Sequence, residues 1–159
     1  MRSIRAIPLE PEVFAPFGRV HTVPDAPGRF WVDEPFADPG PGVRPSLSFL
    51  RLAPTPEAEL VVDALERHPR TAQTFLPLEV ARFLVVVAPA APEGGPDTER
   101  AVAFLGSTGR ALTYARGVWH RAMTVLDRPA LMAILMGRDG TPADDEIVRV
   151  APFRVRLVP

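Results

Sequence analysis

An all-β fold, a barrel or double-sheet jelly roll preceded by one short helix, is what this sequence predicts. Three observations carry the prediction. The chain holds 20 prolines in 159 residues, and each one fixes φ and removes a backbone donor, leaving little room for long helices. From residue 46 onward, short runs rich in β-branched and apolar residues recur, as half-buried strands require. Turn formers stand between them at Pro54, Pro69, Pro89, Gly94-Gly95, Gly106, Gly117, Asp139-Gly140 and Pro142, a spacing that suits barrels and sandwiches. A chain of this length fits one domain over residues 1–159 and buries roughly 70% of its unfolded surface, enough to enclose a pocket.

Taken in order, Glu12, Val13 and Phe14 between Pro11 and Phe17 predict the single N-terminal helix, closed by Pro16 and Gly18. Residues 24–45 are crowded with proline and glycine yet carry Phe30, Trp31 and Phe36. Such a segment is either a pocket lid or a loop anchored on the barrel wall. Strands are predicted at 46–52, 60–68, 73–78, 82–88, 110–115, 122–126, 131–136 and 147–158, the last broken at Pro152. Phe83-Leu84-Val85-Val86-Val87 lacks alternation and predicts a strand buried on both faces. The chain has no internal repeat, and only its proline-rich stretches are of low complexity.

Composition removes several function classes. The net charge of −1 leaves no basic excess for nucleic acid. All 18 basic residues are arginine, so a lysine Schiff base is excluded. Without cysteine, disulfides, thiolate catalysis and cysteine-bound zinc are excluded too. No run approaches the roughly 20 apolar residues of a membrane span. Met1 to Glu10 lacks the apolar stretch of a signal peptide, and a cytoplasmic location is the expectation.

Three histidines are present, and two sit where a barrel site would use them. Residues two apart on a strand face the same way, so Glu66 and His68 point together and Arg67 points opposite. The same parity puts Leu60, Val62 and Ala64 beside them as an apolar lining. Gln73 follows the turn at Pro69, and His120 arrives from another strand after Tyr114-Ala115-Arg116-Gly117. Glu66, His68, Gln73 and His120 converging inside a barrel would form a mixed nitrogen and oxygen site for nickel, manganese or zinc. The alternative is a surface Glu66-Arg67 pair with two hydrogen-bonded barrel histidines. No organic cofactor is indicated. Trp119 is expected to be packing and His21 a surface residue. Asp144-Asp145-Glu146 is expected to be solvated, with a minor site role left open.

The spacing of Glu66-x-His68, Gln73 and Gly117-Val118-Trp119-His120 resembles the two short motifs of the cupin superfamily. More narrowly, FAPFG at 14–18, RPSLSFLR at 44–51, LERHPRTAQTFLPL at 65–78, RFLVVVAP at 82–89 and YARGVWH at 114–120 resemble the ureidoglycolate lyase family, in order, over most of the chain. The resemblance implies a cupin-type barrel acting as a metal-assisted, dimeric lyase that splits ureidoglycolate into glyoxylate and urea. The sequence departs from that family's pattern in having Ala72 where a serine is usual and Ala122-Met123 where Pro-Leu is usual. Its N-terminal segment with asparagine and arginine has no clear counterpart in Phe30-Trp31-Val32-Asp33-Glu34.

On this reading His68, His120 and Glu66 are the candidate catalytic residues, and His68, His120, Gln73 and Glu66 the candidate metal ligands. Gln73, Tyr114, Arg44 and Arg116 are candidate substrate contacts. Without a metal, a histidine would be the base and an arginine the bidentate carboxylate clamp, with Arg44, Arg116 and Arg121 as candidates. The partner is a small-molecule substrate, with no nucleic acid and no membrane, and an unpaired edge strand predicts a homodimer. Two competing readings are a divergent cupin that binds another small hydroxy acid or sugar-like carboxylate, and a plain interaction module. The polar Glu66, His68 and Gln73 set weighs against the second.

Overall fold

A computed structural model of the chain describes residues 1–32, 41–55 and 59–157. Twelve strands and one short helix are present among them: β1 (Ser3–Pro8), α1 (Pro11–Phe14), β2 (Gly18–Thr22), β3 (Arg44–Leu52), β4 (Glu59–Arg67), β5 (Gln73–Glu79), β6 (Arg82–Ala88), β7 (Val102–Ser107), β8 (Arg110–Tyr114), β9 (Trp119–His120), β10 (Thr124–Leu126), β11 (Ala130–Arg138) and β12 (Glu146–Arg156). The expected all-β architecture with a short N-terminal helix is thus the observed one. Pro11 opens α1 at a position where its missing N–H costs nothing, and a 3₁₀ turn over Ala15–Phe17 follows.

The strands form two sheets. One runs β10-β6-β7-β1-β12-β4-β9, and β9 pairs back onto β6, closing six strands into a barrel. The other runs β2-β8-β5-β11-β3. Strand β6 belongs to two cores at once. Leu84, Val86 and Ala88 join Leu60, Val62, Leu65, Trp119 and Phe153 in the closed barrel. Phe83, Val85 and Val87 join Phe14, Phe75, Phe104, Tyr114 and Met132 between the two sheets. Burial on both faces is why this stretch shows no polar alternation. Each such side chain contributes about 1.5–3 kcal/mol of burial free energy, so β6 anchors both halves.

Four strands escape the sequence patterns. β1 is built on parallel pairing with β12 and β7, partners nearly the whole chain away. β2, β7 and β9 are too short or too mixed to announce themselves. Pro152 does not end the last strand as expected. β12 runs through it, with a register shift against β4 between Arg149 and Phe153, a bulge that spares the ladder the missing proline N–H.

That irregularity corrects the expected parity of β4. Leu60, Val62 and Leu65 all face the closed barrel, so alternation slips by one between Val62 and Leu65, opposite the bulge. Glu66 therefore faces away from Leu60 and Val62, which do not line its surroundings. In the segment after β2, Phe30 and Trp31 are exposed and border a groove beside Arg19 and His21 of β2. Phe36, Asp33 and Glu34 lie outside the described residues.

Candidate active site

Glu66 and His120 are brought together by strand pairing, since they are direct partners in the β4–β9 ladder. Trp119 points into the closed barrel, fully buried, so its neighbour His120 points the opposite way, toward Tyr114. The two rings stack with centroids 4.2 Å apart and an interplanar angle of 18°. Arg67 alternates with Glu66 as predicted: its guanidinium lies 4.4 Å over the Trp119 ring and pairs with Glu146 at 2.7 Å. It serves the wall rather than the site.

His68 arrives from the turn after β4. The Gly117 N–H donates to the His68 carbonyl at 2.9 Å, tying the turn that presents His120 to the residue that presents the second imidazole. Gly117 has φ +74°, a left-handed conformation that glycine adopts without strain. Gln73 opens β5 opposite Tyr114 of β8, and its amide nitrogen contacts Met136 Sδ at 3.7 Å.

The hydrogen bonds settle both tautomers. His120 Nδ1 lies 2.9 Å from the Val118 carbonyl, which can only accept, so Nδ1 carries the proton and Nε2 keeps its lone pair. His68 Nδ1 lies 3.0 Å from the Asp144 carbonyl and 3.2 Å from Asp145 Oδ1, again both acceptors, with the same result. His68 Nε2, His120 Nε2, Gln73 Oε1 and the Tyr114 hydroxyl are buried without a hydrogen-bond partner. An unpartnered buried polar atom costs about 1–3 kcal/mol, and four at one place mark a binding site.

One ligand atom each from Glu66, His68 and His120 lie within 4.8 Å of one another, with His120 Nε2 3.5 Å from Glu66 Oε1. Two imidazole Nε2 atoms and a carboxylate, with backbone acceptors on the far ring nitrogens, are a donor set that fits a divalent cation. Burial raises the Glu66 carboxyl above its usual range, with His68 acting against that rise. Burial also lowers His120 to about 4 and raises Tyr114. At neutral pH His120 is a free base and Tyr114 a neutral donor.

The acidic run Asp144-Asp145-Glu146 is not simply solvated. Asp144 is buried at 7% exposure, accepts the Arg70 backbone N–H at 2.5 Å and accepts the Thr71 hydroxyl. Asp145 faces His68 and Glu146 holds Arg67, so all three acids brace residues 67–71. Adjacent acids give no such signal in the sequence, because their partners lie more than 70 positions away. His21 is half-buried rather than a surface residue, bonded to Thr113 Oγ1 at 2.8 Å. Of the three arginines, Arg44 is exposed at the start of β3 opposite Arg138. Arg116 is exposed in the turn before Gly117. Arg121 is half-buried beside Glu66.

The profile of the ureidoglycolate lyase family matches residues 1–156. The chain belongs to this family. It is accordingly a lyase. It is 36% identical over 154 residues to ureidoglycolate lyase of Burkholderia cepacia, covering 91% of this chain and 85% of that one. With the Chelativorans sp. ureidoglycolate lyase it shares 35% identity over 167 residues, covering 99% and 98%. With that of Mesorhizobium japonicum it shares 33% over 155 residues, covering 91% and 93%. Among solved structures, a dTDP sugar isomerase from Desulfovibrio desulfuricans G20 overlays with a TM-score of 0.49 at 20% identity, covering 85% of this chain and 82% of that one.

Proposed function

We propose that the protein cleaves ureidoglycolate to glyoxylate and urea at the Glu66–His68–His120 cluster. The observation that carries this reading is the pair of unpartnered imidazole Nε2 atoms facing a half-buried carboxylate in a member of this family.

Ureidoglycolate bears hydroxyl, carboxylate and urea nitrogen on one carbon. Loss of the hydroxyl proton lets that oxygen form the aldehyde C=O while the C–N bond breaks, and the departing nitrogen needs one proton to become urea. Glu66 takes the first proton and returns it to nitrogen, so the step balances. Its raised pKa brings it closer to working pH, where a general base is most effective. The Tyr114 hydroxyl donates to a substrate oxygen, and Gln73 Oε1 accepts a urea N–H; both are otherwise unpartnered. His68 and His120 through Nε2, with oxygens of Gln73 and Glu66 beside them, would hold nickel, manganese or zinc. Such an ion, when bound, supplies Lewis-acid polarisation and a lower hydroxyl pKa.

Purified protein supplied in turn with nickel, manganese or zinc is expected to release glyoxylate and urea in equal amounts. No turnover with any of the three rejects the assignment. The same reading includes a homodimer. Edge strand β3 exposes Leu47 and Phe49, a surface that favours pairing. Light scattering is expected to give twice the 17.3 kDa chain mass, and a monomer at micromolar concentration refutes it.

A further inference from the structure

His120 is followed directly by a cation. Arg121 is more than half buried, and its backbone N–H donates to the Val86 carbonyl at 2.9 Å, so the residue is pinned to β6 on leaving β9. Its Nη1 donates to the Ala122 carbonyl at 3.2 Å and to Thr124 Oγ1. Both contacts use the same nitrogen. Among the described residues its Nε and Nη2 have no hydrogen-bond partner, and no carboxylate forms an ion pair with it. Asp63, which lines a groove with Arg121, is engaged by Arg149 at 2.5 Å.

Arg121, Glu66 and Asp63 line the same groove, of about 210 Å³, with Ala64, Ala122 and Ile147 as its apolar wall. The volume lies below the roughly 300–1,000 Å³ that holds drug-sized ligands, and it suits a small acid rather than a sugar. Asp63 and Glu66 attract the half-buried guanidinium without forming an ion pair with it, and a buried charge so loosely compensated favours a closer anionic partner. The free edge of a guanidinium matches a carboxylate bidentately.

We infer that Arg121 is the residue that clamps the substrate carboxylate, holding the reacting carbon beside Glu66 and the His68–His120 pair. This rests on the ureidoglycolate reading above. Arg121 binds the part of the substrate that stays charged throughout and is kept in glyoxylate, so it acts in ground state and transition state alike. The sequence names Arg44 and Arg116 as substrate contacts and offers Arg121 only as an unranked third candidate for the clamp. The groove it shares with Glu66 separates it from the other two.

The test compares wild type with Arg121→Gln and Arg121→Lys, reading KM, kcat and inhibition by each product. Glyoxylate carries the carboxylate and urea does not. Arg121→Gln is expected to raise KM and the glyoxylate inhibition constant by about 10- to 100-fold, the worth of a charge-assisted hydrogen-bond pair, with kcat within a few-fold and urea inhibition unchanged. Arg121→Lys is expected to recover part of the loss. Unchanged KM and glyoxylate inhibition in Arg121→Gln overturns the clamp, and so does an equal loss of glyoxylate and urea binding, which would mean a collapsed site. Wild type that turns over no ureidoglycolate yet binds glyoxylate through Arg121 would sink the lyase assignment and leave the clamp standing.

Discussion

Glu66 Oε1 and His120 Nε2 lie 3.5 Å apart as cross-strand partners of β4 and β9. The pair is positioned by backbone ladders on two sides, because β9 also pairs with β6 through Val87 and His120. A carboxylate base on a frame this rigid is expected to act mainly in the transition state. Glu66→Gln keeps size and hydrogen bonding but cannot take a proton, so kcat is expected to fall about 10²- to 10⁴-fold. Steady-state kinetics with ureidoglycolate check this; a kcat within threefold of wild type excludes Glu66 as the base.

Asp144 braces the His68 turn through the Arg70 N–H and the Thr71 hydroxyl. Asp144→Ala strands the Arg70 N–H and the Thr71 hydroxyl and is expected to cost about 1–3 kcal/mol of stability. The substitution keeps the Asp144 main-chain carbonyl that His68 Nδ1 bonds to but loosens the turn that positions it, so divalent metal affinity is expected to fall by up to about 10-fold. Thermal melts and calorimetric metal titration read the two effects separately.

His120 makes the metal-free protein acid-sensitive. Burial lowers it from 6.5 to about 4, so between those values the unfolded chain binds the proton that the folded chain refuses. Stability is complete above pH 6.5 and lost as pH falls toward 4, by about 3 kcal/mol in total. Glu66, with its raised pKa, works in the opposite sense. The difference between wild type and His120→Gln therefore isolates the histidine: urea melts across this range are expected to show a shallower pH slope in the variant.

Gly18 tests the packing of β2 on β8. At φ +148° a side chain is disfavoured, and an added Cβ would sit 1.9 Å from the Thr113 carbonyl oxygen. Gly18→Ala is expected to destabilise by about 2–3 kcal/mol or more through strain and overpacking, readable as a lowered melting temperature.

Much of the site was legible in one dimension because its parts are local. Glu66-x-His68 sets a carboxylate near the end of β4 and an imidazole in the turn that follows, and Gly117-x-x-His120 reports a turn whose left-handed glycine delivers a side chain to a strand start. Both signals depend on chemistry between near neighbours. Arg67 pointing away from Glu66 and Trp119 serving as packing follow from the two-residue period of a strand.

The sequence by itself determined the all-β class and the doubly buried β6 and singled out the two histidines of the candidate site, since composition, turn chemistry and periodicity act through neighbouring residues. Tertiary structure decided what needed distant partners. It supplied the bulge at Pro152 that turns Glu66 off the Leu60–Val62 face, and the Asp144 brace on His68. It also placed Arg121 beside Glu66. Each depends on contacts between segments separated by dozens of residues, and such contacts leave no periodic trace in the chain that makes them.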